Sequence, residues 1–170
     1  HSIKLTIDLP PGDVHAGMEV FYNPIMGSNR SISILLLNTI SNSQMNIADP
    51  LAGSGIRSLR FLKELGKGKI KQLFINDAKE NFLANFKNHL KLNKLSGKKV
   101  SVSNEEASLF LLHQIGFDYI DIDPFGSPNP FLAAAVARIS REGIIAVTAT
   151  DTAALTGTYP KVTPRKYWAK

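Results

Sequence analysis

The sequence predicts an α/β fold, with a doubly wound, mostly parallel sheet covered by helices on both faces. Short apolar runs alternate with longer segments whose apolar residues recur at helical spacing. Such alternation implies right-handed crossovers between parallel strands. A second observation concerns the acids and glycines that neither a helix nor a strand requires, which follow directly after the apolar runs. Because ligands of these sheets bind beyond the carboxyl ends of the strands, we expect these residues to form one site.

The individual elements follow from local patterns. A first helix is predicted over residues 28–40, with Ser28 or Asn29 as its N-cap. Strands are predicted over 45–49, 72–77, 98–103, 117–122 and 143–150. Helices are predicted over 54–65, 78–93, 105–115 and 129–140. In the usual strand order of such sheets, the strand over 117–122 lies beside the strand over 45–49.

Composition limits the functional classes. The 170 residues favour one domain, and 44% hydrophobic residues suffice for a core. A formal charge of +6 favours an anionic partner, nucleic acid first. The absence of cysteine excludes disulfides and cysteine-ligated zinc, so we expect no metal site and a cytoplasmic protein. The longest apolar run is too short for a membrane span.

The first predicted strand runs into a glycine loop. Asp49 is followed by Gly53, Ser54 and Gly55, and glycines let the backbone turn tightly and approach a ligand. The acid that ends the next strand, Asp77, stands 22 residues beyond Gly55, the spacing at which nucleoside-binding sheets place a ribose-binding acid. A weaker alternative for Asp77 is the N-cap of the helix over 78–93.

Two residues of this loop indicate which nucleoside is bound. A dinucleotide fingerprint has glycine or alanine at position 58, where this chain has Ser58. Asp49 would repel a pyrophosphate but could receive a cationic amino group. A ligand with a ribose and an amino-acid end, S-adenosyl-L-methionine, fits better than a nicotinamide cofactor, so a dehydrogenase is disfavoured. After the third strand, Glu105 or Glu106 either reaches an adenine amino group or caps the third predicted helix, and the sequence leaves both roles open.

A second motif closes the fourth predicted strand, with Asp123, Pro124, Phe125 and Gly126 in sequence. An amino group on a nucleobase is a poor nucleophile, because its lone pair is delocalised into the ring. The Asp123 carboxylate and the Pro124 carbonyl could accept its two hydrogens and stabilise its developing charge. Phe125 offers a face for base stacking, and Gly126 leaves room for the ring. The alternative is a proline turn with a core phenylalanine. Asp121 is expected on the opposite side of the strand, in a structural role.

Four segments together resemble one family, the tRNA guanine-26 N2-dimethyltransferases of archaeal and eukaryotic type. They are VFYNPIMGSNRS, DPLAGSGIRSLR, IDIDPFGSPNPFL and VTATDTAALTGTYPK, and they span residues 20 to 161. The resemblance implies a Rossmann-like class I methyltransferase fold, S-adenosyl-L-methionine as the donor and tRNA as the partner. It implies methylation of the N2 amine of guanine, first to the monomethyl and then to the dimethyl product.

The resemblance also assigns roles by position. Arg30 would meet the donor carboxylate, Arg57 would help to hold it, and Asp77 would bind the ribose. Glu106 and Ala107 stand where the family has an acid followed by alanine after the third strand. Asp123 and Pro124 would be catalytic. Phe125 and Phe21 would flank the guanine, although core packing is an equal alternative for Phe21.

The resemblance also implies an organisation for the chain. Residues 1–150 would form the catalytic domain with an N-terminal extension over 1–27, and residues 151–170 a poorly ordered connection towards a further portion. The sheet would be truncated after its fifth strand. Two other readings stay open: another nucleic-acid amino methyltransferase, acting on rRNA guanine or DNA adenine, and a cofactor- or RNA-binding fragment without turnover by itself.

Overall fold

The computed structural model describes residues 3–6 and 22–168. Five strands and seven helices follow a short 3-10 turn at Pro24–Met26. In chain order they are α1 (Gly27–Thr39), β1 (Met45–Asp49), α2 (Ile56–Glu64), β2 (Ile70–Asn76), α3 (Phe82–Leu92), β3 (Val100–Ser103), α4 (Ala107–Leu112), β4 (Phe117–Ile122), α5 (Asn129–Arg138), β5 (Ile139–Val147), α6 (Thr152–Leu155) and α7 (Val162–Tyr167). The described helices include none that is long and apolar enough to cross a membrane.

The sheet confirms the predicted fold class. Its strands pair in the order β3-β2-β1-β4-β5, and every pair is parallel. The chain therefore reverses its direction of winding at β1, where β4 pairs on the other side. That switch point brings the carboxyl ends of β1 and β4 together, where ligands of doubly wound sheets bind.

Helices cover both faces of the sheet, and each face has its own apolar core. One core joins α1, α2 and α3 to the sheet through residues such as Leu37, Leu59 and Phe86. The other joins α4 and α5 through Phe110 and Ala135. The central strand β4 supplies Tyr119 to the first core and Ile120 to the second, as expected for a strand buried on both faces.

The start of α1 differs from the prediction. Neither Ser28 nor Asn29 caps it, because the helix begins at Gly27 and continues directly from the 3-10 turn. The side chain of Asn23 caps that turn and accepts a hydrogen bond of 3.0 Å from the Ile25 N–H. Pro24 follows at the first position of the turn, where its missing N–H costs nothing.

The fifth strand is longer than predicted. It begins at Ile139, so the last residues assigned to the preceding helix belong to β5 instead. Its register against β4 shifts between Phe117 and Tyr119. Glu142 has a positive φ of 62° beside this irregularity. The strand therefore contains a bulge. The polar residues between Ile139 and Gly143 interrupt its apolar run, so the sequence pattern did not predict this part of the strand.

Residues 151–170 were expected to be a poorly ordered connection, and the structure describes residues 151–168 of this segment. They form α6 and α7, which Asp151 joins by accepting hydrogen bonds from Lys166 Nζ at 3.0 Å and from the Tyr167 hydroxyl. Thr163 Oγ1 also donates to the Ala154 carbonyl at 2.7 Å. Asn129 donates from its side chain to the Lys166 carbonyl, which attaches α7 to the start of α5.

Candidate active site

Three acids meet at the carboxyl edge of the sheet. Asp49 ends β1, Asp77 follows β2, and Asp123 follows β4. A cavity at this edge has two compartments that share Leu51, Gly53 and the Asp123–Phe125 segment. The structure therefore brings together the residues that the sequence assigned to the donor and those that it assigned to the acceptor.

The glycine loop has a fixed shape. Gly55 has a φ of 74°, and a Cβ there would lie 2.4 Å from a ring carbon of Phe86. Its N–H donates to the Ala52 carbonyl at 2.8 Å. Gly53 also has a positive φ, of 56°. Both glycines have the left-handed conformation that favours glycine, and Gly55 is required in addition by its close packing against α3.

Asp77 holds this loop rather than a helix. Its Oδ2 accepts the Gly53 N–H at 2.7 Å, and its Oδ1 accepts the Lys79 N–H at 3.0 Å. The alternative role as the cap of α3 is wrong, because α3 begins only at Phe82 and Asn81 occupies its N-cap position. Asp77 lines the larger compartment, and its ribose contact stays a prediction.

Asp49 is buried beneath the loop, with 2% of its surface exposed. Ser58 Oγ donates to its Oδ2 at 2.7 Å, which explains why serine replaces the expected small residue at position 58. Burial raises the pKa of Asp49 to about 7, against the opposing effects of the Ser58 hydrogen bond and of the Arg57 charge. Near neutral pH this acid is therefore ready to ionise when a cation approaches it.

Arg57 occupies the centre of a buried polar network. Its Nη2 donates to Asp123 Oδ2 and to Asn29 Oδ1, both at 2.6 Å. Its Nη1 donates to Ser33 Oγ at 2.9 Å and lies 3.2 Å from Asp121 Oδ2. Burial opposes its charge, but the neighbouring carboxylates outweigh burial and raise the pKa of Arg57. The described contacts direct Arg57 towards the end of β4, and a donor-carboxylate contact stays a prediction.

Asp121 does not lie on the opposite side of the strand from Asp123. Both carboxylates contact Arg57, because residues two apart in a strand face the same way. Asp121 is buried and also accepts the Tyr119 hydroxyl at 2.6 Å. Burial raises the pKa of Asp121, while Arg57 opposes that change. Its structural role is supported, but its predicted direction was wrong.

The segment after β4 presents its side chains to the cavity. Asp123 and Pro124 line both compartments, and Phe125 lines them with 63% of its surface exposed. The alternative of a core phenylalanine is therefore wrong. Gly126 has a φ of 105°, its N–H donates to Thr150 Oγ1 at 2.7 Å, and its carbonyl accepts the Thr150 N–H at 3.0 Å. The residues after β5 thus hold the turn that carries Phe125.

Arg30 lines the smaller compartment together with residues of the glycine loop. Its Nη2 donates to the Asn23 carbonyl at 3.0 Å, and its guanidinium lies 5.2 Å from the centre of the Tyr22 ring. Burial is the main cause that lowers the pKa of Arg30. The smaller compartment is lined by both Arg30, a cation, and Asp49, an acid whose pKa of about 7 lets it ionise near neutral pH. Phe21 lies outside the described residues.

Of the two roles left open for Glu105 or Glu106, an adenine contact or a helix cap, Glu106 has the second. It is exposed, occupies the N-cap of α4 and accepts the Leu109 N–H at 3.0 Å. Hydrogen bonds, first that from Ser108, lower the pKa of Glu106. Neither Glu106 nor the buried Ala107 lines the cavity, so their predicted donor contacts find no support in its lining.

The two compartments differ in size and chemistry. The smaller has a volume of about 100 Å³ and is lined by charged side chains, including Arg30, Asp49 and Arg57. The larger, of about 330 Å³, has Asp77 at one wall and apolar side chains such as Phe131. The first suits a small zwitterionic group, and the second suits a nucleoside whose ribose meets an acid.

A family profile matches residues 3–170, and its description is N2,N2-dimethylguanosine tRNA methyltransferase. This match covers nearly the whole chain. The chain belongs to this family. The resemblance read from the four sequence segments is thereby confirmed.

Relatives and a solved structure of the family agree with this assignment. A tRNA (guanine(26)-N(2)/guanine(27)-N(2))-dimethyltransferase of Aquifex aeolicus is 38% identical over 172 residues, covering 98% of this chain and 43% of the relative. A tRNA (guanine(26)-N(2))-dimethyltransferase of Methanobrevibacter smithii is 44% identical over 96% of this chain and 42% of its own length. The structure of Trm1 from Pyrococcus horikoshii with S-adenosyl-L-methionine matches with a TM-score of 0.83 and 34% identity, over 97% of this chain and 45% of that one.

The chain thus spans about two fifths of the length of the curated relatives that it matches. A likeness to Trm5b from Pyrococcus abyssi, at 20% identity and a TM-score of 0.62, shows the shared methyltransferase fold alone.

Sequence reasoning missed several residues of the candidate site. Tyr22, Asn23 and Ser54 line the smaller compartment, and Thr150 fixes the turn after Asp123. Asn76, buried at the end of β2, donates from Nδ2 to the carbonyls of Pro50 and Glu105, both at 3.0 Å. A signal existed for Asn23, since asparagine before proline is a frequent start of a helical turn. The others depend on contacts between distant segments.

Proposed function

We propose that this chain is the donor-binding and catalytic part of an enzyme that methylates the N2 amine of guanine at position 26 of tRNA. The product would be monomethylated first and dimethylated in a second round. One observation carries the proposal: the Asp123–Phe125 segment stands where the two compartments meet, in a chain that belongs to the N2,N2-dimethylguanosine methyltransferase family.

The residues present fit S-adenosyl-L-methionine. The donor's amino-acid end would enter the smaller compartment, where Asp49 meets its ammonium group and Arg30 its carboxylate. The nucleoside would occupy the larger compartment, where Asp77 accepts hydrogen bonds from the ribose. The fit does not rest on charge alone, because Gly53 lines both compartments without a side chain and Gly55 has the positive φ that sets the course of the loop.

When bound, the sulfonium donor supplies an electrophilic methyl group. The protein's task is then to orient the acceptor nitrogen. Asp123, with 22% of its side chain exposed, and the Pro124 carbonyl would accept the two hydrogens of the guanine amine. This arrangement turns the nitrogen lone pair towards the methyl group and stabilises the positive charge that develops on nitrogen.

Arg57 and Phe125 would complete the acceptor site. Arg57 binds one oxygen of Asp123 at 2.6 Å, which fixes the carboxylate and leaves its other oxygen for the amine. Phe125 offers an exposed ring on which the guanine could stack. Extracting the base from the tRNA stack costs roughly a few kcal/mol, which stacking and the two hydrogen bonds would offset.

The setting of such an enzyme follows from its substrate. A chain of formal charge +6 is suited to an RNA partner, and we take the cytoplasm, where tRNA is available, as its compartment. The activity is assigned to the site of this chain, while the relatives contain further sequence beyond the matching part.

The decisive experiment supplies labelled S-adenosyl-L-methionine and two unmodified tRNA transcripts, which differ only by guanine or adenine at position 26. We use the chain itself and a hybrid in which it replaces the matching part of the Aquifex aeolicus relative. We expect labelled N2-methylguanosine and N2,N2-dimethylguanosine from the guanine transcript alone, identified by nucleoside mass spectrometry. Label in another base, or in rRNA or DNA but not in tRNA, would contradict the proposal, as would a hybrid that binds both substrates without transfer.

A further inference from the structure

The hydroxyl of Ser54 is an orphan in a buried position. Ser54 is 3% exposed, and its Oγ has no hydrogen-bond partner. Within residues 3–6 and 22–168 it is the one buried side-chain nitrogen or oxygen atom in this condition. Leaving such a group unsatisfied costs about 1–3 kcal/mol, so native proteins retain one only for a reason.

The location of Ser54 suggests the reason. Ser54 lies between the two glycines of the loop and lines the smaller compartment, together with Arg30, Asp49 and Arg57. It does not line the larger compartment, where the nucleoside is placed, although its neighbour Gly53 does. A hydroxyl can both donate to a carboxylate and accept from an ammonium group. A small zwitterion in this compartment would therefore satisfy it.

His89 holds Ser54 from behind. His89 is 2% exposed on α3, and its Nδ1 lies 3.1 Å from the Ser54 carbonyl oxygen. Because a carbonyl only accepts, Nδ1 must carry the hydrogen. The other ring nitrogen, Nε2, lies 3.2 Å from both the Thr6 nitrogen, which can donate to it, and the Thr6 carbonyl oxygen, which can only accept from it. Both ring nitrogens therefore contact the main chain, and His89 has no role in the chemistry of the proposed acceptor site.

The bond to Thr6 belongs to a larger attachment. Asn93, one turn beyond His89, accepts the Lys4 N–H at 2.8 Å and donates to the Lys4 carbonyl at 2.7 Å. Ile3 and Leu5 pack against the core beside α3. The segment 3–6 therefore lies along α3, and His89 is the point at which this segment and the glycine loop share one side chain.

We propose that the Ser54 hydroxyl binds the amino-acid end of the donor and that His89 is a positioning residue that acts through Ser54. This inference rests on the proposed function, since the ligand is the donor assigned there. His89 fixes the loop carbonyl, the packing of Phe86 against Gly55 limits rotation of the same loop, and the buried hydroxyl belongs to a residue that lines the compartment. The unsatisfied bond in the free protein becomes satisfied on binding.

The first test compares two ligands that differ in the relevant group. S-adenosylhomocysteine has the amino-acid end, whereas 5′-methylthioadenosine has the nucleoside without it. By calorimetry we expect Ser54→Ala to weaken S-adenosylhomocysteine roughly tenfold and to leave 5′-methylthioadenosine within about twofold. The urea midpoint should not fall, because the variant removes an orphan group. Equal weakening of both ligands, or no weakening of either, would overturn the role of Ser54.

The second test separates the two bonds of His89. The amide nitrogen of asparagine can replace Nδ1, and the longer side chain of glutamine reaches the position of Nε2. His89→Asn should therefore keep the affinity for S-adenosylhomocysteine within about threefold, whereas His89→Gln should lose roughly tenfold. The affinity for 5′-methylthioadenosine should stay unchanged in both variants. Equal loss of S-adenosylhomocysteine in both variants would make His89 a residue of general stability and would contradict its positioning role.

The outcomes for the unchanged chain separate this inference from the proposed function. If neither ligand bound, the proposed donor site would be contradicted, and the roles of Ser54 and His89 would be contradicted with it. Binding of both ligands, with variants that affect them equally, would leave the proposed function in place and overturn the inference alone.

Discussion

Arg57 Nη2 lies 2.6 Å from Asp123 Oδ2, and Nη1 of the same guanidinium lies 3.2 Å from Asp121 Oδ2. The buried cation of Arg57 therefore joins Asp121, near the end of β4, to Asp123, the residue that we assign to the acceptor amine. The cation comes from α2, directly after the glycine loop. The Arg57 side chain therefore links the glycine loop, where we propose that the donor binds, to Asp123, where we propose that the acceptor binds.

Arg57→Ala should destabilise the protein strongly. The substitution leaves Asp121 buried without its cation, and removing one partner of a buried ion pair costs about 3–5 kcal/mol. Urea unfolding should show this loss. The matched control is Arg60→Ala, one helical turn away, whose bidentate pair with Glu64 at 2.8 Å is less buried than the network of Arg57 and should be worth about 1 kcal/mol. A similar small loss for both arginines would show that the network around Arg57 is dispensable.

Gly55→Ala should disrupt the glycine loop. A Cβ at this position would lie 2.4 Å from the Phe86 ring, and the alanine would have to adopt a φ of 74°. Overpacking together with a strained backbone is expected to cost about 2–4 kcal/mol. Gly27→Ala is the control, because among the described residues no atom beyond its chain neighbours and its own helix backbone lies within 4 Å of a Cβ there, and its φ is −57°. Denaturant midpoints that fall equally for the two variants would contradict the packing argument.

Donor affinity should depend on pH through Asp49. Burial raises the pKa of Asp49 to about 7, so below that pH the carboxyl of the free protein is protonated. An ammonium group favours the ionised form, so binding must release this proton. Affinity measured by calorimetry should rise by up to about tenfold per pH unit below pH 7 and level off above it. Asp49→Asn should flatten the profile, and an unchanged profile in that variant would assign the effect elsewhere.

The raised pKa of Asp49 also determines how the free energy of unfolding changes with pH. This measurement needs no ligand and serves as a control for the binding profile. Between the unfolded pKa of 3.8 and the folded pKa of about 7, the folded state retains a proton that the unfolded state has lost. The contribution of Asp49 to the free energy of unfolding therefore falls as pH rises through this window and stays low above it. The difference between the wild-type protein and Asp49→Asn isolates this contribution.

Lys161 and Arg165 should contact tRNA phosphates. They are exposed on a segment with no acid between Thr152 and Trp168, and this segment is attached to the turn after Asp123 through Thr150. Replacing both with alanine should reduce the slope of log affinity against log salt by about 1.8, since each phosphate contact contributes about 0.9. Lys87→Ala with Lys91→Ala, an equal change of charge on α3, should leave the slope unchanged. The opposite ranking of these pairs would place the RNA elsewhere.

The sequence predicted the central elements well because their patterns are strong. β1 and β4 have the predicted bounds, since both are apolar runs bordered by polar or turn residues and are buried on both faces. The start of β5 was missed because Ser140, Arg141 and Glu142 interrupt the apolar run at a bulge. The start of α3 was placed too early because residues 77–81 form a turn around Asp77.

The site shows a different limit. The sequence identified Asp49, Asp77 and Asp123, because each ends or follows a strand whose neighbours could be inferred. The partners of Arg57 could not be inferred, since Asn29 and Ser33 come from a helix with no pattern that links it to β4. The direction of Asp121 was within reach, because the period of two residues in a strand already places Asp121 and Asp123 on one face.

The role of Asp123 is tested by comparing donor binding with methyl transfer in Asp123→Asn, in the hybrid enzyme with the guanine-26 transcript. We propose that Asp123 serves the acceptor amine and not the donor. We predict that single-turnover transfer falls by about 100-fold or more, since charge stabilisation in the transition state is lost. The dissociation constant of S-adenosyl-L-methionine from calorimetry should stay within about threefold, because Arg30, Asp49 and Asp77 are intact. Transfer that survives within a few fold, or donor binding that is lost together with transfer, would contradict the claim.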